Sequence, residues 1–371
     1  MSRLRVLITN TRLAAYTGTE LYVRDLALAL FARGHTPLVY SPELGPVAQE
    51  LRGAGIQVVD VPSALSTAPD IIHGHHEIAA MQAFLAFRGV PGIFVVHDRL
   101  HHSDIPPRFP RILRYVAVDD NCRERLVEAA IPAERIAVVL NWVDLARFRP
   151  RAPLPAQPQR ALLFSNYATE KTHLGVVREA CARVGLRLDV IGAAAGRPCA
   201  RPEAVLGQYD LVFAKARCAL EALAVGAAVI LCDARGVGPF VTGAELDRLR
   251  RLNLGMRTLR DPLRAEILVR EIARYDAGDA GEVSRRVRAT AGLDPAVEQL
   301  LATYHDVIAE HAREPVDEEA EARAATVYRR VSFQRRIRDR LKRVPALGPL
   351  LVAFRGKISG HRSRALGSTI L

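Results

Sequence analysis

In "AKARCALEALAVG" (residues 214–226) the side chains of Lys215, Arg217 and Glu221 are the only charges in an otherwise apolar segment. A carboxylate in such a context is costly unless something holds it. The preceding run "YDLVFA" (209–214) reads as a strand and the segment itself as a short helix. Where a strand runs into a helix, the first N–H groups of the helix lack intrahelical partners, and with the helix dipole they form a socket for an anion such as phosphate. Lys215 and Arg217 at the mouth could neutralise that anion. Glu221, one turn inside, could reach back and accept hydrogen bonds from hydroxyls of the same ligand. The plainer alternative is a Glu221 that caps its own helix, with two solvated cations beside it.

A second group of reactive side chains is the set His73, His75, His76, His97, His101 and His102, six of the eleven histidines. His97 closes the strand-like run "GIFVVHD" (92–98) next to Asp98, at the carboxyl end where crevice residues belong. Neutral imidazole is a common metal ligand, yet there is no H-E-x-x-H and no cysteine close by, so no metal is expected. Asp119 and Asp120 precede "NCRERLVEAA", which predicts a helix cap rather than a pair of metal carboxylates. Gly-x-Ser-x-Gly, a Walker loop and a recognisable Cys–His pair are all missing, which removes hydrolase and kinase chemistry as leading options.

The elements that must position these groups alternate regularly. Strand-length apolar runs fall at 4–10, 36–41, 56–61, 70–74, 92–98, 115–119 and 136–141, then at 161–166, 186–192, 209–214 and 227–233. Helix-length amphipathic runs separate them; the first, 19–34, has Leu21, Leu26, Leu28 and Phe31 as its expected buried face and Gly34 as its stop. Such alternation predicts α/β architecture with parallel sheets covered on both faces. The prolines of "RPRAPLPAQPQ" (149–159) predict an extended linker. The expected organisation is a doubly wound domain over 1–148, a linker over 149–160, a second doubly wound domain over 161–312 and a tail over 313–371, with the ligand in the crevice between the two domains.

In order along the chain, "TGTELYVRDLALALFARGH", "DIIHGHH", "VVHD", "IAVVLNWVDLARFRP" and "CALEALAVG" resemble the motifs of retaining glycosyltransferases with two facing Rossmann-like domains, the GT-B fold, and specifically the family 4 group. The likeness spans roughly residues 4 to 310. It implies a nucleotide-sugar co-substrate, no metal or other cofactor, and an acceptor that is a glycan or a lipid-linked sugar. In the donor half it implies that the diphosphate rests on the helix carrying Lys215 and Arg217, that Glu221 grips the nucleotide ribose, and that Asn166 and Lys171 stand where the family pairs an Arg and a Lys with the diphosphate. In the acceptor half it implies that Gly18 lets the backbone approach the donor phosphate, an ordinary loop glycine being the alternative. There too His97 touches the transferred sugar, and Asp98 orients His97 or meets the acceptor. Three positions depart from the pattern: Phe213 occupies the place of the first family Glu, Asn166 that of an Arg, and Trp142 that of a glycine. The resemblance further implies a retaining transfer without a side-chain nucleophile, in which positioning and charge stabilisation do most of the work. The other reading, from a different class, is a non-catalytic GT-B module that has lost its donor contacts at Phe213 and Asn166.

Charge completes the outline. Residues 323–371 hold thirteen Arg or Lys and a single acid, Asp339, so they account for the whole formal excess of +12 and the rest of the chain is neutral. "VYRRVSFQRRIRDRLKR" (327–343) can form a basic amphipathic helix and is followed by the apolar "VPALGPLLVAF" (344–354). That combination suits an anionic membrane face, a disordered solubilising tail or a helix packed on the body being the alternatives. Tyr328, Phe333 and Phe354 are too sparse to make a stacking platform for nucleic acid. No run reaches the roughly 18 to 20 apolar residues of a membrane span. Five scattered cysteines without a C-x-x-C pair suit a reducing compartment. The expected location is the cytoplasm, with attachment to the inner face of the membrane through the tail.

Overall fold

The computed structural model of the chain describes residues 3–314 and 316–329. The first sheet contains β1 (Arg5–Thr9), β2 (Thr36–Tyr40), β3 (Gln57–Val59), β4 (Ile71–His75), β5 (Gly92–Val96), β6 (Ile112–Ala117) and β7 (Ile136–Val138). Its order is β3-β2-β1-β4-β5-β6-β7, and every neighbouring pair is parallel. Helices α1 (Gly18–Ala32), α2 (Pro46–Gly53), α3 (Glu77–Ala86) and α4 (Asp120–Glu128) connect these strands.

The second sheet contains β8 (Arg160–Phe164), β9 (Arg187–Ile191), β10 (Leu211–Ala214), β11 (Ala228–Asp233) and β12 (Gly236–Phe240), in the order β12-β11-β10-β8-β9. Around it lie α5 (Leu174–Arg183), α6 (Ala216–Val225), α7 (Leu246–Arg251), α8 (Ala265–Ile272) and α9 (Ala277–Thr290). All eleven expected strands are present. β12 is an addition: it runs antiparallel to β11 at the sheet edge, and its Gly-Val-Gly-Pro-Phe sequence lacks the apolar run that marks the others.

In each sheet the chain order reverses once, between β1 and β4 in the first and between β8 and β10 in the second. The carboxyl ends at those two points are where an open parallel sheet leaves a crevice. In the first half they carry Asn10 and His75; in the second, Ser165–Asn166 and Lys215. A hydrogen-bond clamp fixes the first point: the His75 N–H donates to Thr9 Oγ1 at 3.0 Å, and that hydroxyl donates back to the His75 carbonyl at 3.0 Å.

The linker is extended, and it is anchored rather than loose. Arg151 donates its N–H to Val225 O at 2.8 Å and its guanidinium to Asp210 Oδ1 at 2.9 Å, so the segment runs along the second half. The long helix α10 (Leu293–Arg313) does not stay with the second sheet as the 161–312 boundary implies. It packs on α1, β5 and β6, burying Tyr304 beside His73. The buried face of α1 also differs from the expected one. Tyr22, Val23, Leu26, Ala27 and Leu30 are buried, whereas Phe31 is 45% exposed and Leu21 and Leu28 are half-buried. The helix meets the sheet, α2 and α10 together, so a single stripe does not describe its surroundings. Gly34 does stop it, with φ of +81°.

The basic segment from residue 330 onward, on which the membrane expectation rests, lies outside the described residues. Among the described residues no helix is long and apolar enough to cross a membrane.

Candidate functional site

β10 ends at Ala214, Lys215 is the helix cap, and α6 begins at Ala216, so strand and helix are joined by one residue. Ala216 has φ of +52°, a left-handed conformation that is uncommon for a residue with a Cβ. Its N–H is taken by Leu254 O at 2.9 Å. Asn253 and Leu254, which approach it, are themselves left-handed at +57° and +50°. At the other end α6 stops at Gly226, whose φ of +97° suits glycine. This direct junction explains Phe213: it lies on β10, fully buried in the core, and there is no loop in which a first acid could sit.

A cavity of about 150 Å³ lies between the two sheets. Gly18, Thr19 and Tyr22 of α1 line it, with His97 beyond β5, Asn141 and Trp142 before the linker, and Ala216, Arg217 and Asn253 from the second half. The amino ends of two helices, α1 and α6, therefore reach the same space. A Cβ added at Gly18 would meet nothing within 4 Å, so this glycine borders open room rather than satisfying a backbone requirement.

Arg217 is held on both sides. Its Nε donates to Glu221 Oε1 at 2.7 Å, one turn along α6, and its Nη2 pairs with Asp25 Oδ2 on α1. Asp25 also accepts from Arg24 at 2.8 Å and lies 3.4 Å from Arg147, which in turn pairs with Glu203 at 3.0 Å. Burial pushes the Asp25 carboxyl up, and the Arg217 and Arg24 cations outweigh this and hold it below the usual carboxylate range. For Glu221 burial wins over the Arg217 cation and the carboxyl is raised. Glu221 does not form part of the cavity wall. Its carboxylate is held by the i,i+4 bond to Arg217, which does line the cavity.

His97 is half-buried on the cavity wall; its backbone N–H donates to Asp104 Oδ1 at 3.0 Å, and its ring Nε2 lies 2.6 Å from His75 Nδ1. Burial drives the imidazole pKa of both rings well below the ordinary value. The same cause takes His73 to about 3 and His76 to about 4. The His73, His75, His97 and Tyr22 rings pack in one group, with Trp142 at 4.1 Å from Tyr22.

Of the residues singled out from the sequence, Gly18, His97 and Arg217 come together on the cavity, and Glu221 is bonded to Arg217. Asn166 sits at the reversal point of the second sheet, where its Nδ2 donates to Tyr16 O at 3.3 Å and its Oδ1 accepts from Ala193 N at 3.2 Å. Three others are not on the cavity wall. Asp98 is exposed and closes a turn, accepting from the N–H groups of Leu100 and His101 at 2.6 and 2.8 Å. Lys171 is exposed in the turn before α5. Lys215 pairs with Asp233 at the end of β11 and lies 3.5 Å from Met256 Sδ. Asp119 caps α4 by accepting from Cys122 N at 2.7 Å, while Asp120 reaches Arg251 of α7. Among the described residues no group of three or more His, Cys, Asp or Glu is arranged to hold a metal ion.

Tyr22, Asn141, Asn253 and Asp25 escaped the sequence reading. Asp25 had the same signal as Glu221, an acid inside the apolar run "LYVRDLALAL" (21–30). Further direct links tie the halves around the cavity: Asn141 to Asn253 at 3.0 Å, Arg251 to Asp120 at 2.9 Å and Arg257 to Glu124 at 2.8 Å.

Residues 16–147 match the family Glycosyltransferase Family 4. No curated protein matches the sequence. Among solved structures the chain is similar to a glycosyltransferase from Rickettsia africae ESF-5, with 18% identity, 83% of this chain and 99% of that one covered, and a TM-score of 0.58. Anabaena Alr3699/HepE in complex with UDP and glucose gives 15% identity, 82% and 100% coverage and a TM-score of 0.57. Sucrose-phosphate synthase from Thermosynechococcus elongatus gives 15%, 83% and 100%, and 0.54. The chain therefore has the two-sheet GT-B fold of these proteins, and its residues 16–147 match the Glycosyltransferase Family 4 model.

Proposed function

We propose that the protein transfers a sugar, with retention, from a nucleotide-sugar donor to a glycan or lipid-linked acceptor in the synthesis of a cell-envelope or capsular polysaccharide. The observation that carries this reading is the cavity where the amino ends of α1 and α6 meet with Arg217 and His97 on its wall. Helix amino ends and a guanidinium favour an anionic leaving group, and a ring beside them can meet the sugar. Anabaena Alr3699/HepE was crystallised in complex with UDP-glucose, which makes a UDP-sugar the first candidate donor for this chain.

In this reading Arg217 and the α6 N–H groups stabilise charge on the departing diphosphate, Glu221 and Asp25 hold Arg217 in place, and His97 contacts the transferred sugar. Asn166, Lys171 and Lys215 border the path of the diphosphate at the edge of the second sheet. Asp98 belongs to the acceptor side through its turn. No metal takes part. The proposed location is the cytoplasm, against an anionic membrane face through residues 323–371. Deleting residues 314–371 and sedimenting the protein with anionic vesicles tests that attachment; unchanged binding would dismiss it.

One observation favours a second reading, a non-catalytic module in glycan assembly: the charge of Arg217 is already neutralised by Asp25 and Glu221. Calorimetry with UDP-, GDP- and ADP-sugars separates the two. Donor binding followed by transfer supports the enzyme, and no binding across the panel supports the module.

A further inference from the structure

The histidines of β4 reach the cavity through a direct contact. His75 is fully buried at the reversal point of the first sheet, with its backbone clamped by Thr9, and its Nδ1 meets His97 Nε2 at 2.6 Å. Tyr22 lies edge-on to both rings, with centroids at 5.1 Å from His75 and 4.7 Å from His97. On the far side His73 packs at 4.6 Å from His75 and is bonded to the Tyr304 hydroxyl of α10. The His75 ring therefore has no room to turn without displacing Tyr22 or His73.

Two neutral imidazoles sharing one nitrogen–nitrogen contact hold one proton between them. If His97 gave that proton, His75 would carry its own on Nε2, a buried atom with no partner. If His75 gives it, the same buried atom is a bare lone pair. A buried N–H without an acceptor is rarer than an unfilled acceptor. The second arrangement is therefore preferred, and it obliges His97 to carry its proton on Nδ1.

We propose that His75 is a positioning residue for His97: by donating its Nδ1–H to His97 Nε2 it fixes His97 as the Nδ1–H tautomer, a neutral hydrogen-bond donor for an oxygen atom of the ligand in the cavity. The importance of this for turnover rests on the glycosyl-transfer reading; the tautomer itself does not. In that reading the oxygen belongs to the transferred sugar, and a neutral donor binds it without placing a cation beside the positive charge that develops at the sugar carbon.

The test uses protein labelled with 15N-histidine, long-range 1H–15N correlation spectra and assignment of His97 through H97N. In the parent His97 is expected as the Nδ1–H tautomer. H75N places an amide N–H where Nδ1 was and should keep it, whereas H75L should shift His97 to the Nε2–H form or a mixture. A parent His97 protonated on Nε2, or an H75L variant with the Nδ1–H tautomer intact, overturns the proposal. If H75L does not fold by circular dichroism, the parent and H75N spectra still decide. With a donor identified, H75L should lower kcat about tenfold, the worth of one neutral hydrogen bond, and H75N should restore most of it. A correct tautomer pattern together with no transfer from any nucleotide sugar would sink the proposed function and leave the His75–His97 assignment standing.

Discussion

Asp25 of α1 and Arg217 of α6, 192 residues apart in the chain, form a buried ion pair that joins the first half of the molecule to the second beside the cavity. The side chains are only 2% and 14% exposed, so solvent screens the pair little. Both partners are also tied to other groups, Asp25 to Arg24 and Arg217 to Glu221.

Removing one side of such a pair strands the other. Asp25→Ala should cost about 3–5 kcal/mol, because it leaves the Arg217 guanidinium buried with Glu221 alone. Urea denaturation followed by circular dichroism measures this. A loss below about 1 kcal/mol, the range of an exposed pair, would show that the contact does not persist in solution.

Glu221 is assigned to holding Arg217 on the cavity wall. Glu221→Ala should weaken donor binding or turnover by tenfold or more, about 1.4 kcal/mol, while Glu221→Gln, which keeps an oxygen for the Arg217 Nε–H, should lose less. Titration calorimetry and initial rates compare them. Parent-like behaviour of Glu221→Ala would end this assignment.

Trp142 is the sole tryptophan, is 2% exposed and lines the cavity. Ligand entry should therefore change its emission intensity or wavelength in a saturable way. Trp142→Gly should cost about 3–5 kcal/mol in stability and admit bulkier donor sugars. A ligand shown to bind by calorimetry but silent in Trp142 emission would place the binding site elsewhere.

Burial raises the Asp104 carboxyl to about 7, against the bond it accepts from the His97 N–H. The folded protein then binds more protons than the unfolded chain between about pH 4 and pH 7, so this group's contribution to stability falls as pH rises through that window. Asp104→Asn keeps an oxygen for His97 and removes the titration. The variant should match the parent near pH 4 and exceed it at pH 8 in chemical denaturation; equal pH profiles would contradict the assignment. The buried histidines act oppositely. With His73 lowered to about 3, its contribution is complete above the ordinary imidazole value and is lost as pH falls below it.

Much of the fold is legible in the sequence because strands buried on both faces read as unbroken apolar runs, such as Val229–Leu231 and Ile93–Val96. β12 is hidden because its glycines and proline carry no such mark. The return of α10 to the first half is hidden for another reason. Periodicity tells that Leu300, Tyr304 and Val307 face a core, and both sheets offer one. At the site, apolar context was enough to single out Glu221, and the same argument applied to Asp25 would have found its acid as well. That Arg217 lies between those two acids is a long-range contact, which residue type and local spacing do not encode. Which way Asp98 faces is not legible either, because a residue at the end of a strand can turn into the crevice or into the following turn, and its carboxylate does the latter.

The central claim is that the cavity beside Arg217 and His97 receives a nucleotide sugar. Titration calorimetry of the intact protein and of Arg217→Gln with UDP-, GDP- and ADP-sugars tests it most directly. The account predicts saturable binding of one nucleotide class, weakened at least tenfold by the substitution. No binding of any donor by the intact protein, or equal binding by a folded Arg217→Gln variant, would contradict it.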